Sequence, residues 1–291
     1  MKYNKTHTTY EEQVNLLISR GLIVNDKTAA EKILHHISYY RFSAYSIPYQ
    51  SIKDTYDQGV TFETVLRLYR FDHELRMLCF DLLEHIEVAI RTQITYTFTQ
   101  LFGPFGYTDA ANFSHSFRHA EWFGKACEEM GRAKETFIQH YRTKYFESEY
   151  LPLWMATEVF SFGALSRLYC GMKRKDKRTI SHLYAIDDDT FGNWLHVLVY
   201  LRNLCAHHAR LWNRGLGIHP SYPNGEEWRK IRGSVSHNRI FSVLVVISYL
   251  LKKHDSPFIL KDCIKSLLEK YSEIRIEQMG FPTDWFSILS W

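Results

Sequence analysis

The chain has 291 residues, of which 45% are hydrophobic and 15% aromatic, and its formal net charge is +4. This much apolar surface is enough for a sizeable core, and only 14 glycines and 7 prolines argue against a turn-rich all-β protein. The charge is far below that of a histone, so it permits a nucleic-acid partner without requiring one.

The first residues are predicted to form two short helices. Thr9 and Glu12 have the spacing of a capping box, which opens a helix that ends before Gly21. A second helix fits residues 26–38. Both helices precede an aromatic-rich segment.

A domain boundary is predicted near residue 60. The aromatic-rich segment at 39–49 ends close to a proline, and a polar loop follows at 50–60. Such a segment either packs at a junction between helical units or stacks on unpaired bases, and we favour packing. The sequence therefore predicts a helical appendage at 1–60 and a helical bundle with C-terminal helices at 61–291.

The middle of the chain is predicted to consist of long helices. Apolar residues three and four apart predict one helix, or two nearly in line, over 61–102. Helical patterns follow at 116–146 and at 152–172, and a short one at 178–184. No alternating pattern of useful length predicts a strand, so the fold is expected to be all-α.

The strongest helix start lies at 187–190, where three aspartates and a threonine can satisfy the free amides of a first turn. The helix that follows is predicted over 191–214, and the nearby glycines and a proline end it. A polar loop at 219–237 precedes helices at about 239–253 and 258–271.

Cysteine usage and apolar runs indicate the compartment. The five cysteines are far apart and form no CxxC pair, which is typical of free thiols in a reducing compartment. The polar N-terminus lacks a secretory segment, and the longest apolar run, Ile240–Leu251, is too short to span a bilayer. We expect a cytoplasmic protein with no membrane contact. No HExxH or Cys/His spacing indicates a metal site.

The segment 201–214 carries the residues that can support chemistry. Residues three or four apart share a helix face, so this predicted helix has a continuous polar stripe, with Arg202 at its border. Polar side chains on an otherwise buried helix need partners or serve a substrate. A hydrogen-bonded core histidine is the simpler interpretation of His207. The stripe consists of His196, Tyr200, Asn203, His207, Arg210 and Arg214.

The order Arg-Asn-x-x-x-His at Arg202, Asn203 and His207 resembles the catalytic motif of HEPN ribonucleases. The extended segment RNLCAHHARLWNR, at 202–214, resembles the Abi-like abortive-infection family more specifically. The resemblance extends over roughly residues 10–220. The other matching stretches are Ile37–Arg41, Tyr69–Asp72, Glu84–Arg91 and Ser161–Ser166.

This resemblance implies a HEPN-type helical bundle and a metal-independent endoribonuclease without a cofactor. In that reaction the RNA 2′-hydroxyl attacks the adjacent phosphorus, which leaves a 2′,3′-cyclic phosphate and a 5′-hydroxyl. Histidine suits the proton transfers because its unperturbed pKa is near 6.5, and arginine suits the phosphate because it stays charged. The resemblance assigns the acid/base role to His207 and phosphate stabilisation to Arg202. Asn203 would orient the histidine or bind the phosphate.

Several neighbours are predicted to support the motif. His208 is the alternative histidine, and Tyr200 and Arg210 lie on the same predicted stripe. In HEPN proteins a charged residue of an earlier helix often supports the active site, a role that Glu87 and Arg91 suit. The alternative for Glu84, Glu87 and Arg91 is a simple ion-paired helix face.

Partners follow partly from charge and partly from the resemblance. The basic residues Lys173, Arg174 and Lys175, with Arg214, either contact RNA or form solvated faces. The resemblance implies an RNA substrate, a homodimer in which two motifs face one cleft, and a small structured RNA as a restraining partner. The alternative function is a non-catalytic RNA-binding protein, or a module that arrests growth by titrating a host factor.

Overall fold

The computed structural model describes residues 6–254, 256 and 259–290, and within them it contains α-helices, short 3-10 turns and no β-strand. The predicted all-α class is therefore confirmed. The helices are α1 (Tyr10–Ser19), α2 (Lys27–Ile37), α3 (Tyr39–Ser46), α4 (Phe62–Phe102), α5 (His119–Arg132), α6 (Thr136–Lys144), α7 (Leu153–Val159), α8 (Phe162–Gly171), α9 (Arg174–Ser181), α10 (Asp188–Ala206), α11 (Glu226–Ser234), α12 (Ile240–Lys253), α13 (Leu260–Lys270) and α14 (Trp285–Ile288).

The chain divides into two compact units, residues 1–75 with 267–274 and residues 76–266 with 275–291. Each unit is a set of residues that contact mainly one another in the folded chain. The sequence-based boundary between residues 60 and 61 stays a prediction.

In the first unit, the predicted caps form as expected. The Thr9 hydroxyl accepts from the Glu12 amide at 3.2 Å, and the Glu12 carboxylate accepts from the Thr9 amide at 2.7 Å. The aromatic-rich segment packs inward at Phe42 and Tyr45, which are buried, whereas Tyr40 is 87% exposed. Packing therefore accounts for most of that segment.

In the second unit, α10 packs against α8, α9 and α12. Every residue of α12 from Ile240 to Leu251 is buried, because this helix is apolar on all sides. The Trp194 ring of α10 lies 5.6 Å from the Trp228 ring and 5.5 Å from the Tyr249 ring. This aromatic cluster sets the position of α10 in the core.

Three predicted segments differ from the structure. Residues 116–146 and 152–172 each form two helices rather than one, and the second break occurs where Ser161 caps α8 by accepting from the Ala164 amide. The predicted loop at 219–237 contains α11, whose apolar residues Trp228 and Ile231 are buried. Packing of those two side chains stabilises α11, which the sequence did not predict because polar residues surround them.

No helix within the described ranges combines the length and apolar character that crossing a bilayer requires. All five cysteines are free thiols.

Candidate functional site

The motif lies at the end of α10, whose start is anchored by a carboxylate. Asp187 accepts from the Thr190 amide at 2.8 Å and from the Thr190 hydroxyl at 2.6 Å. Burial opposes the charge of Asp187, but these hydrogen bonds outweigh it and hold the pKa of Asp187 below its ordinary value. The predicted N-terminal signal at 187–190 is confirmed.

The C-terminus of α10 differs from the prediction. The helix ends at Ala206 rather than near Arg214, because His208 adopts the left-handed conformation with φ of 55°. The His208 amide donates to the Cys205 carbonyl at 3.0 Å, and the Ala209 amide donates to the Leu204 carbonyl at 2.9 Å. These two bonds form a Schellman motif, which satisfies the last carbonyls of the helix.

A histidine at this position is unusual, because the left-handed conformation normally favours glycine. Holding a residue with a side chain there costs roughly 1 to 2 kcal/mol. Strained backbone of this kind is often found at functional sites. The left-handed conformation of His208 therefore defines the turn in which α10 ends, and His207 is the capping residue of that helix.

The predicted polar stripe is consequently shorter. His196, Tyr200 and Asn203 lie on α10, and His207 caps it, so these four follow one face at helical spacing. Arg210 and Arg214 lie beyond the helix, and their assignment to the helical stripe was wrong. Both are half-buried in the irregular segment that follows.

The three motif residues form an accessible polar group. The Arg202 guanidinium donates to the Asn203 side-chain oxygen at 3.3 Å. Arg202 is half-buried, and Asn203 and His207 are exposed. Within residues 6–254, 256 and 259–290, no carboxylate pairs with Arg202 and no side-chain partner engages the His207 imidazole. The group therefore presents a cation, an amide and an imidazole to solvent without an internal counter-ion.

A buried arginine that the sequence analysis missed holds the turn after the motif. Arg76 of α4 is only 3% exposed, and its guanidinium lies 3.5 Å from the Ala209 carbonyl oxygen. A cation beside the C-terminal end of a helix is favourable, because the carbonyl groups there carry partial negative charge. Its spacing of three from the buried Cys79 was a usable signal, since it places Arg76 on the apolar stripe of α4.

A second missed feature is the loop that returns along α10. The Asn193 side-chain oxygen accepts from the Ser221 amide at 2.7 Å, and the Trp194 indole donates to the Ser221 carbonyl at 2.7 Å. Nearer the motif, the Tyr200 hydroxyl accepts from the Gly217 amide at 3.4 Å. Tyr200 therefore contributes by holding this loop beside the helix.

Comparison with known proteins shows which family the chain is similar to. The family model of Abi-like proteins matches residues 32–213, which is more than half of the chain. The chain belongs to the Abi-like family. No curated protein matches it, and no solved structure does. Membership supports a role in abortive infection, and the matched region contains the whole Arg202–Asn203–His207 motif.

In this Abi-like protein, Glu87 and Arg91 pair with each other. The Arg91 guanidinium donates to the Glu87 carboxylate at 2.6 Å and to the Phe160 carbonyl at 3.0 Å. The two side chains are only 18% and 13% exposed, and no hydrogen bond or ion pair joins them to the motif within the described residues. The contacts favour the ion-pair interpretation, and support of the motif by Glu87 or Arg91 stays a prediction.

The basic cluster at the start of α9 is partly engaged by α10. Asp188, which is 2% exposed, lies 3.2 Å from Arg178, 3.4 Å from Arg174 and 3.5 Å from Lys177. Burial opposes the charge of Asp188, but these three cations outweigh it and hold its pKa below the ordinary value. Arg174 therefore has an internal carboxylate partner.

Lys173 and Lys175 form no ion pair within the part of the chain that the structure describes. RNA binding by Lys173, Arg174 and Lys175 stays a prediction.

No group of three or more histidine, cysteine or acidic side chains in the described ranges is arranged to hold a metal ion.

Proposed function

We propose that this Abi-like protein is a metal-independent endoribonuclease of the HEPN superfamily that acts in abortive infection. The observation that carries the proposal is the accessible group of Arg202, Asn203 and His207 at the end of α10, in which the arginine has no internal carboxylate. A half-buried arginine without a counter-ion is suited to an anionic ligand, because an uncompensated charge is costly to bury. RNA is the substrate, since only RNA carries the 2′-hydroxyl nucleophile.

His207 performs the proton transfers. Removal of the 2′-hydroxyl proton lets that oxygen attack the adjacent phosphorus, and the departing 5′-oxygen takes up a proton as its bond to phosphorus breaks. The products are a 2′,3′-cyclic phosphate and a 5′-hydroxyl. Histidine is the side chain that most often transfers protons in catalysis, and the His207 imidazole is accessible to substrate.

Arg202 stabilises the charge that develops on the phosphorane, since a guanidinium remains charged and forks onto two phosphate oxygens. The Asn203 side-chain oxygen accepts from Arg202 at 3.3 Å, so it limits the directions that the guanidinium can adopt. Arg202 is therefore a catalytic residue in this proposal, and Asn203 positions it.

The active form is a homodimer in this proposal. Cyclisation needs one group that accepts a proton and another that donates one, and each chain supplies a single motif. A two-fold pairing of two motifs provides both groups and a second arginine, and such dimers are the most frequent oligomers. A small structured RNA as a restraining partner belongs to the same proposal.

The test incubates purified wild type, His207→Ala and His196→Ala with single-stranded RNA and a tRNA pool in EDTA. His196 is an exposed histidine on the same face of α10, so it provides a matched control. We expect 2′,3′-cyclic phosphate ends from wild type and His196→Ala, and loss of at least 100-fold in rate for His207→Ala.

RNA binding without cleavage by wild type would support the non-catalytic alternative. Equal cleavage by wild type and His207→Ala would move the proton transfer to another residue, with His208 tested next.

A further inference from the structure

Two half-buried arginines follow the motif in this fold, Arg214 and Arg239. Neither has a carboxylate within ion-pairing distance among the described residues. Elsewhere in the same unit, the half-buried Arg91 pairs with Glu87 at 2.6 Å. Partly buried charges are normally paired, because desolvation is costly without a counter-ion. The two arginines therefore lack the usual internal compensation.

Hydrogen bonds hold the segments that carry the two arginines side by side. The Arg239 guanidinium donates to the Asn213 side-chain oxygen at 3.1 Å, and Asn213 immediately precedes Arg214. The Leu216 amide donates to the Asn238 carbonyl at 2.8 Å, which holds the two segments side by side. Asn213 has a φ of 50°, a left-handed conformation that asparagine tolerates well. Arg214 therefore directly follows, along the chain, the residue to which the Arg239 guanidinium donates.

Arg214 also has a buried hydrogen-bond donor that is not satisfied internally. Its Nε atom has no hydrogen-bond partner among the described residues. A buried donor without a partner is destabilising, because it has lost its hydrogen bonds to water. A guanidinium that binds a phosphate in the forked, two-bond geometry uses Nε and one terminal nitrogen, so a small shift of Arg214 onto such a ligand would recover the cost.

We propose that Arg214 and Arg239 form a phosphodiester-binding subsite for RNA, separate from the phosphate held by Arg202. The inference rests on the proposed function for the identity of the ligand. Arg214 lies seven residues after His207, and the Tyr200–Gly217 hydrogen bond holds this stretch beside α10. In this proposal, a single strand whose scissile phosphate lies at Arg202 has another of its phosphates bound by Arg214 and Arg239.

The test measures RNA binding separately from cleavage. All variants carry His207→Ala, and the probe is a labelled single-stranded RNA oligonucleotide titrated at several salt concentrations. Each phosphate contact with a single strand contributes about 0.7 to the slope of log K against log salt. We expect Arg239→Gln and Arg214→Gln each to lower the slope by about 0.7. Arg229→Gln, a change at an exposed arginine of α11, should leave it unchanged.

A second variant separates phosphate binding from a structural role of Arg239. Asn213→Asp keeps a residue that tolerates the left-handed conformation and places a carboxylate against the Arg239 guanidinium. The new carboxylate should compete with RNA for the Arg239 guanidinium and so reduce the magnitude of the salt slope. The melting temperature of the protein should stay the same or rise. An unchanged slope in both Asn213→Asp and Arg239→Gln would overturn the subsite.

The subsite and the ribonuclease proposal fail separately. Wild type that binds RNA with the predicted slope but cleaves nothing would retain the subsite and reject catalysis. If wild type cleaves RNA while all three subsite variants bind with wild-type slopes, catalysis is retained and the subsite is rejected.

Discussion

Replacing Asp188 by asparagine tests whether the basic cluster of α9 serves the fold. Asp188 is 2% exposed in the first turn of α10 and is surrounded by Lys177, Arg174 and Arg178. The neutral asparagine keeps the shape of the side chain but removes its charge. The substitution therefore leaves three cations beside a buried side chain that no longer carries a negative charge.

The magnitude follows from how well each cation can reach water. Arg174 is 65% exposed and Arg178 is 51% exposed, so both can turn outward, and each loses only about 0.5 kcal/mol of interaction. Lys177 is only 16% exposed and remains near the neutralised site. Removing one member of a buried pair costs about 3 to 5 kcal/mol, and the mobility of the two arginines favours the lower end. We expect a loss of about 3 kcal/mol.

The assay is urea unfolding of wild type, Asp188→Asn and Asp189→Asn. Asp189 is the matched control, because it contacts Arg174 and Lys177 at 3.7 and 3.8 Å but is 74% exposed. Its replacement should cost less than about 1 kcal/mol. Equal losses for the two variants would refute the reasoning, because burial would then not decide the strength of this network.

Three further predictions concern acid stability, the loop beside α10 and the first helix. The pKa of Asp188 is lower in the folded protein than in the unfolded chain. Its contribution to stability is therefore present above the unfolded pKa of about 4 and is lost as the pH falls through the folded pKa. The difference in unfolding free energy between wild type and Asp188→Asn should narrow on acidification. A constant gap down to pH 2 would contradict this. Asn193→Ala removes the hydrogen bonds to Ser221, so limited proteolysis should cut the loop at 215–222 faster than in wild type, whereas an unchanged cleavage pattern would show that the other contacts suffice. Thr9→Ala removes the cap of α1 and should destabilise the protein by about 1 kcal/mol in thermal unfolding, unless the helix start frays already.

Local patterns predicted the elements of this fold well. The capping box at Thr9 and Glu12 and the acidic start at 187–190 both form, because a cap depends on residues only three apart. The long helix at 61–102 also forms, since its apolar stripe recurs at helical spacing. The break at Ser161 was missed because its capping role competes with an apolar pattern that continues on both sides.

The candidate site was predicted in its residue types but not in its geometry. The sequence placed Arg202, Asn203 and His207 at one point of a late helix, and the family model matches the region that contains them. It also extended that helix to Arg214, because arginine, leucine and tryptophan continue a helical pattern. Nothing within those residues signals that His208 takes a left-handed conformation.

The all-α class, most helix starts and the composition of the motif could be predicted from the sequence alone, since these depend on interactions within three or four residues. The end of α10 could be located only from the folded chain. Arg76 lies 133 positions before Ala209, and its guanidinium contacts the Ala209 carbonyl oxygen in the turn after His207. The folded chain likewise shows which cations have carboxylate partners, as Arg174 does, and which have none among the described residues, as Arg239 does. Those outcomes depend on which distant segments meet, and spacing along the chain carries no record of that.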